Sequence, residues 1–508
     1  MRKYFFIGLW LLVIISPKFT FSKVITITKT AKYCCGDNES KLDGEKMALE
    51  KAKRLCLERA GVYLESTTVI EKGICTKDEI RTLSAGILKV EVVDKKVSLI
   101  EENICVQVTV RVEIDEEDVE RKIKLLLRKE QIKQELIKIK RQRDALERKV
   151  SQLQNQLKQA LTNKKKKKII VQRRRILNKI SARDLAMQTY LLFMQGKNDT
   201  VIEICKMAIN ADPEFYEPYL MLNLVYRRIG KRRNALKMCE KALDICQRKN
   251  IKDGLCNTYN HIGSLYNEWG KYRKAIEYYQ KSLAICVEID DLARMAESYH
   301  GIGNAYMRWG KYNEAIEYIQ KSITLRKKVG DRIGLSASYN SIGIAYVLSG
   351  KYYKAIEYLE KSLVIRKELN DLTGLGQCYY GIGVAYEYLG KYNKALGYIK
   401  KSITLRRKVG DRIGLGRSYA GIGLLYYNLG KFDRAIEYYK KSLTIAKEVN
   451  DREGLMGTYY LIAGYYFNHL RDKESAIRYL RLSIEICKQL NCPYLKGYEK
   501  QLKTLMEY

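Results

Sequence analysis

Apolar and polar positions along the chain repeat every 40 residues over most of its C-terminal part. Within one period, Tyr339, Gly343 and Tyr346 have the three- and four-residue spacing of a single helix face. Ala355 and Leu359 mark a second helix face after a short break. Each period therefore predicts two helices joined by a turn.

Two kinds of glycine recur with this period. Gly343 lies inside the first helix, where glycine costs about 0.5–1 kcal/mol relative to alanine, so we expect a neighbouring helix to pass close to it. Ala355 has the same role on the second helix, and we expect Ala355→Leu to overpack the pair and cost roughly 1–3 kcal/mol. Gly350 ends the first helix and precedes Lys351. A phosphate-binding loop needs Ser or Thr after its Gly-Lys pair and occurs once, so the recurring pairs are turns.

The large, small and aromatic positions of each period, represented by Tyr339, Gly343, Tyr346 and Ala355, resemble the tetratricopeptide repeat (TPR). The 40-residue form is similar to the longer TPRs of polarity and kinesin-light-chain adaptors. The resemblance implies a mainly α fold, in which eight repeats over residues 181–491 stack into an α-solenoid. A terminal helix over residues 492–508 is expected to cap it, and the last repeat carries a one-residue insertion in "NHLRDKES".

The first helices of TPR units line a concave groove, and helical spacing places five positions of each first helix on that face. In the TPR family, Asn at such positions holds the backbone of an extended peptide and Arg pairs with its acidic groups. Amides suit this role because they donate and accept hydrogen bonds. The predicted groove residues are Asn257, Asn260, Asn267, Glu268, His300, Asn304, Arg308, Asn340, Gln377, Tyr380, Tyr388, Arg417, Tyr427 and Asn428.

Upstream of the repeats, residues 23–118 alternate between strand-like and helix-like patterns. The order β-α-β-α-β-β indicates a small α+β domain. Its predicted elements are a strand at 24–30, a helix at 39–60, a strand at 62–73, a helix at 76–86 and a hairpin made of 87–100 and 104–114.

Residues 45–114, with "AGVYLES", Glu71-Lys72-Gly73 and Ser84-Ala85-Gly86, resemble the N-terminal module of the bacterial flagellar assembly protein T family. This resemblance implies a Gram-negative envelope setting and brings no catalytic residue. A flagellar function is not implied, because the repeats are not part of that family.

Residues 119–180 form a basic segment of 22 Lys+Arg against 5 Asp+Glu. Between residues 119 and 161, apolar side chains step by threes and fours, which predicts a coiled coil and a homodimer. The alternative is one amphipathic helix packed on its own chain. The like charges of residues 163–175 predict a solvated connector, and the alternative is contact with an anionic envelope surface.

Residues 1–22 combine Arg2 and Lys3 with a short apolar run and small residues before position 23, as a cleaved secretory signal does. The alternative is an uncleaved N-terminal anchor. Either way the chain is expected to be exported, most simply to a Gram-negative periplasm. Export argues against nucleic acid as the partner that a net charge of +36 would otherwise suggest.

The 13 cysteines show neither the regular spacing of a disulfide framework nor a CxxC motif. The sequence therefore predicts neither a metal site nor a cofactor. An oxidising compartment would allow Cys75 to pair with Cys105. Cysteines of the repeats, such as Cys378 and Cys487, are expected to be small core residues.

Only three histidines occur, and none stands in a motif of nucleophilic or metal-dependent catalysis. We therefore interpret the protein as a non-catalytic, exported TPR scaffold or adaptor that binds a protein or extended peptide in its concave groove. One alternative is a structural envelope component anchored through its N-terminal module and basic segment. Another is a cytoplasmic TPR regulator whose N-terminal residues are wrongly predicted to be a signal peptide.

Overall fold

The computed structural model places two compact units along the chain. The described residues are 24–35, 39–65, 88, 90–100, 103–115, 118–119, 130–160, 162–490, 492 and 494–507. The first unit combines Met1–Leu126 with Leu136–Ile180, and the second combines Leu127–Glu135 with Ser181–Tyr508. The predicted signal segment, residues 1–22, lies outside the described residues.

The first unit contains a three-stranded antiparallel sheet packed on a helix. Strand β1 (Val24–Cys34) is followed by helix α1 (Lys41–Glu65) and then by the hairpin of β2 (Val90–Ile100) and β3 (Asn103–Asp115). The order β1-β3-β2 puts β3 in the centre. Alternate residues of β3 point to one face and are fully buried against small side chains of α1, because a strand turns every second side chain to the same side.

The hairpin of the N-terminal domain is confirmed, and two other predictions there are wrong. Helix α1 continues to Glu65, so the first residues of the predicted strand 62–73 are helical. The rest of that strand and the predicted helix 76–86 lie outside the described residues. Cys105 is bonded to Cys34, its register partner on β1, and not to Cys75. Sheet register determines the pairing, and the sequence pattern alone did not reveal it.

Two long helices follow the sheet, α2 (Glu130–Gln159) and α3 (Asn163–Met194). Apolar positions of α2 that predicted a coiled coil pack against helices of the same chain. Val150, for example, packs with Met47 of α1 and with Leu177 and Ile180 of α3. Leu153 belongs to a neighbouring cluster that includes residues of α3. These contacts are those of the alternative, a helix packed on its own chain, and the homodimer stays a prediction.

The basic residues 163–175 are helical. Lys164, Lys165, Lys167 and Lys168 are exposed, as expected of a solvated segment, whereas Arg173 and Arg174 pair with carboxylates. Arg173 is buried and donates to Glu39 and to the Tyr33 hydroxyl. The side chain of Arg174 donates to Asp43, with Nε 2.6 Å from Oδ1. Burial opposes ionisation of Asp43, but these hydrogen bonds lower its pKa to about 2.

The second unit is a regular array of paired helices. Its further helices are α4 (Asn198–Ala211), α5 (Glu217–Arg228), α6 (Arg232–Arg248), α7 (Lys252–Glu268), α8 (Tyr272–Glu288), α9 (Leu292–Arg308), α10 (Tyr312–Lys328), α11 (Arg332–Leu348), α12 (Tyr352–Glu368), α13 (Leu372–Tyr388), α14 (Tyr392–Val409), α15 (Arg412–Asn428), α16 (Phe432–Glu448), α17 (Arg452–Tyr465), α18 (Lys473–Leu490) and α19 (Leu495–Glu507). Among the described residues, no helix is both long and apolar enough to cross a membrane.

The glycines have the two roles expected of them. Gly350 has φ +77°, the left-handed conformation that ends the first helix of its pair. A Cβ on Gly343 would lie 2.7 Å from Leu359 Cγ and 3.3 Å from the Ala355 carbonyl oxygen, which confirms the close approach of α11 and α12. The inserted residue of the last repeat is absorbed in a π-helical turn, Tyr466–Leu470, at the end of α17.

The first helices begin earlier than the aromatic pattern suggests, at Arg332 in the repeat predicted to start near 336. Asp331 caps α11, its Oδ1 accepting a hydrogen bond from the Gly334 amide at 2.8 Å. The final helix α19 agrees with the expected cap. Cys487, expected as a plain core residue, is buried but is bonded to Cys492.

Candidate functional site

The odd-numbered helices from α7 to α17 are the first helices of their repeats and form one layer of the array. Each packs on its own second helix, and each from α7 to α15 also packs on the first helix of the next repeat. We call the face of this layer turned away from the second helices the inner groove.

The inner groove is bridged by charged side chains from distant repeats. Arg308 of α9 donates to Glu453 of α17 at 2.9 Å, and Arg417 of α15 reaches the same carboxylate at 3.2 Å. The last repeats therefore curl back onto the middle of the array and bound the groove at its C-terminal half.

The fourteen predicted groove residues differ in how far they reach into solvent. Five of them are exposed: Arg308, Gln377, Tyr388, Arg417 and Asn428. Seven are partly buried: Asn257, Asn267, Glu268, His300, Asn304, Tyr380 and Tyr427. Two are buried: Asn260 and Asn340.

The two buried amides take part in hydrogen bonds between repeats. Asn260 accepts from the Ser298 hydroxyl at 2.9 Å, and Ser298 also contacts Ser282. Asn340 accepts from the Cys378 thiol. Asn260 and Asn340 thus hold neighbouring repeats together and present little surface to a ligand.

Polar groove residues also pair with one another along the array. Arg227 of α5 donates to Glu268 of α7, with Nε 3.1 Å from Oε1. Asn428 donates to Glu387 at 3.4 Å. Because such pairs join successive first helices, they fix the orientation of the side chains that a ligand would meet.

Burial shifts the pKa values of several groups in this layer, among them His300 and Glu387. Burial, with a smaller effect of Arg326, lowers the pKa of His300 to about 3, and His300 Nδ1 lies 3.2 Å from the Ser338 hydroxyl. Burial raises the pKa of Glu387 to about 7. His300 is therefore neutral at physiological pH, whereas Glu387 titrates there.

The comparisons with known proteins concern the repeats. The model described as tetratricopeptide repeat matches residues 220–286, 294–368, 343–408, 374–448 and 414–489, more than half of the chain. The chain belongs to the TPR family. No curated protein matches the sequence closely enough to serve as a relative.

Solved structures share the TPR fold at low sequence identity. A Rap protein complexed with competence and sporulation factor is 16% identical with a TM-score of 0.50, over 69% of this chain and 99% of that one. The apo form of RapI is 17% identical with a TM-score of 0.47, over 54% of this chain and 98% of that one. TPR-like repeats of a putative kinesin light chain from Podosopora anserina are 18% identical with a TM-score of 0.33, over 38% of this chain and 95% of that one.

The TPR groove contains a residue that the sequence prediction missed, Arg294 in the first turn of α9. Its Nε donates to Asn257 Oδ1 at 2.7 Å, and its Nη2 donates to Glu135 Oε1 at 2.9 Å. Asn257 donates to the same oxygen at 2.9 Å. Burial opposes ionisation, but Glu135 and Asp291 raise the pKa of Arg294.

A signal for Arg294 exists in the repeat itself. The in-phase positions are Gly254, Gly334, Gly374, Gly414 and Gly454. In three of those TPR units, a buried arginine of the preceding second helix fills the space beside the glycine: Arg326, Arg366 and Arg406. At Gly334, for example, an added Cβ would lie 2.5 Å from Arg326 Nη1. The second helix before α9 has Cys286 at this position, so there the guanidinium comes from the first helix.

Proposed function

We propose that this TPR protein is a non-catalytic scaffold that binds an extended segment of a protein partner along its inner groove. The observation that carries the proposal is the contrast between two sets of positions. The packing positions repeat almost unchanged from unit to unit, as Gly303, Gly343 and Gly383 do. The groove positions do not, since Glu297, Ala337 and Gln377 occupy one in-phase position.

Such a surface suits recognition, because a constant framework presents a sequence of different side chains. Arg and Tyr are favoured anchors of interfaces, and exposed Arg417 and Tyr388 belong to this surface. The Rap protein of the same fold was solved as a complex with competence and sporulation factor, which supports a bound partner here as well.

We further propose that the protein is exported, to the periplasm of a Gram-negative bacterium. The leader-like pattern of residues 1–22 supports export. The disulfides Cys34–Cys105 and Cys487–Cys492 support an oxidising compartment.

A second candidate is a structural role at an anionic envelope surface. The supporting observation is on α3, where Lys164, Lys165, Lys167 and Lys168 are exposed. Clusters of basic residues bind anionic lipid surfaces. Substituting these four lysines by Gln should abolish envelope association if the role is anchoring. It should leave partner binding unchanged if the groove is the functional surface.

The groove is tested by capturing partners with the full chain and measuring the affinity of the captured partner. Asn304→Ala and Gln377→Ala together should weaken binding at least about tenfold, which is about 1.4 kcal/mol. Glu317→Ala, on the outer surface of α10, is the matched control and should change nothing. Unchanged affinity of the double variant would exclude the inner groove as the binding surface.

A further inference from the structure

A carboxylate from outside the repeats already occupies part of the inner groove. Glu135, in the second turn of α2, accepts hydrogen bonds from Asn257 and Arg294, both at 2.9 Å and both to Oε1. Residues Leu127–Glu135 belong to the same compact unit as the repeats. The interaction is therefore a contact within that unit between a non-repeat segment and the groove.

The side chains of Asn257 and Arg294 are held in place by hydrogen bonds of their own. The Asp291 carboxylate caps α9 by accepting from the Arg294 amide at 2.9 Å, and it also accepts from the guanidinium. Arg294 in turn donates to Asn257 at 2.7 Å. Two donors thus converge on one oxygen, in an arrangement suited to a carboxylate.

The contact is largely withdrawn from water. The side chains of Arg294 and Glu135 are 20% and 17% exposed. Charge-assisted hydrogen bonds are stronger in such surroundings than on an open surface, because water screens them less. Its low exposure distinguishes the Arg294–Glu135 pair from the exposed ion pairs on the second helices.

The repeat framework does not require a guanidinium here. The in-phase repeat at Gly254 has Cys246 on the preceding second helix, so neither helix supplies an arginine there. That repeat nevertheless forms the same helix pair, α7 and α8. A guanidinium at this position is thus not a requirement of the repeat packing.

We propose that the segment bearing Glu135 is an intramolecular occupant of the groove, held at Asn257 and Arg294, and that a partner must displace it to bind there. This inference rests on the proposed function of the groove and adds its regulation. Because the occupant is on the same chain, its binding is intramolecular, and it reduces the apparent affinity for any competing segment.

The test uses the full chain and a fluorescein-labelled peptide with the sequence of residues 127–140. Fluorescence anisotropy should show that Glu135→Ala binds this peptide at least about tenfold more tightly than the unsubstituted protein, because the internal competitor is lost. The double variant Glu135→Ala/Arg294→Ala should lose that gain. A peptide with Ala in place of Glu135 should bind neither. Glu317→Ala, which removes an exposed carboxylate elsewhere, should behave like the unsubstituted protein.

Hydrogen exchange provides the second measurement, with far-ultraviolet circular dichroism to verify folding. Amides at the start of α2 should exchange faster in Glu135→Ala and in Arg294→Ala, and not in Glu317→Ala. Equal peptide affinity for the unsubstituted protein and Glu135→Ala, or unchanged exchange, would overturn the inference. Neither result depends on a captured partner, so failure of Glu135 as an occupant is distinguishable from failure of the groove as a partner-binding surface.

Discussion

Arg308 and Glu453 form an ion pair of 2.9 Å although 145 residues of chain separate them. Glu453 also accepts from Arg417 at 3.2 Å, so one carboxylate connects three first helices of the repeat array. The connection lies in the inner groove. We expect its strength to limit how far the groove opens.

Glu453→Lys should open the groove, because it places a third cation beside Arg308 and Arg417. Small-angle X-ray scattering should show a larger radius of gyration than for the unsubstituted protein, with a smaller difference at high salt. The thermal midpoint should change little, since the pair with Arg308 is partly exposed and such pairs contribute about 0–1 kcal/mol. Glu317→Lys, in an exposed pair on α10, is the control, and an equal expansion in both variants would contradict the prediction.

Gly343→Ala should destabilise the repeats by roughly 1–3 kcal/mol, because the new Cβ would meet Leu359 Cγ at 2.7 Å. Gly397→Ala is a matched control inside α14, where an added Cβ meets nothing within 4 Å. It should stabilise by about 0.5–1 kcal/mol, since alanine is the better helix former. Urea unfolding measures both, and equal effects of the two substitutions would refute the assigned close approach.

Glu387→Gln should stabilise the protein at neutral and alkaline pH. Burial raises the pKa of Glu387 to about 7 from its ordinary value of 4.5, so the folded state holds this proton more tightly than the unfolded state does. The contribution of Glu387 to stability is therefore complete below pH 4.5 and is lost as pH rises to about 7. Glutamine mimics the protonated form, so the advantage of the variant should grow over this interval to about 3 kcal/mol.

Chemical denaturation at a series of pH values measures this difference. Glu437→Gln is the control, because Glu437 is an exposed carboxylate on α16 paired with Lys441. A Glu387→Gln difference that is independent of pH would show that the carboxyl does not titrate in this range.

Replacing Cys34 and Cys105 by Ser should destabilise the N-terminal sheet by about 2–4 kcal/mol. The bond closes a loop between residues 71 positions apart, and opening it increases the entropy of the unfolded chain. Hydrogen exchange of β1 amides should accelerate in the variant. Exchange in α11 belongs to the other compact unit and serves as the internal control.

The repeat architecture could be predicted from the sequence because its physical causes are local and recur. Gly350 needs a left-handed backbone, and Gly343 needs a close helix, at the same place in five successive units. The period therefore reveals both without any knowledge of the fold. The boundaries of the first helices were less accurate, since the cap at Asp331 precedes the aromatic positions that carry the pattern.

The groove could be predicted only in part. Helical spacing places Asn260 on the groove side of α7, but it does not reveal that Ser298 of the next repeat buries and binds its amide. The apolar spacing of α2 correctly predicted that another helix packs on it. Whether that helix belongs to a second chain or is α3 depends on long-range packing, which the spacing does not reveal. Arg294 was missed because only a comparison with the glycines at the same place in other units marks this arginine as unusual.

The π-helical turn Tyr466–Leu470 shows how this kind of array tolerates a change in length. The extra residue widens one turn, and α18 still packs on α17 as second helices do elsewhere. The insertion at the end of this first helix is therefore a local event that leaves the helix pair of its repeat intact. For protein engineering, insertions of one residue, and by extension of short tags, should be tolerated at the ends of the first helices without loss of the array.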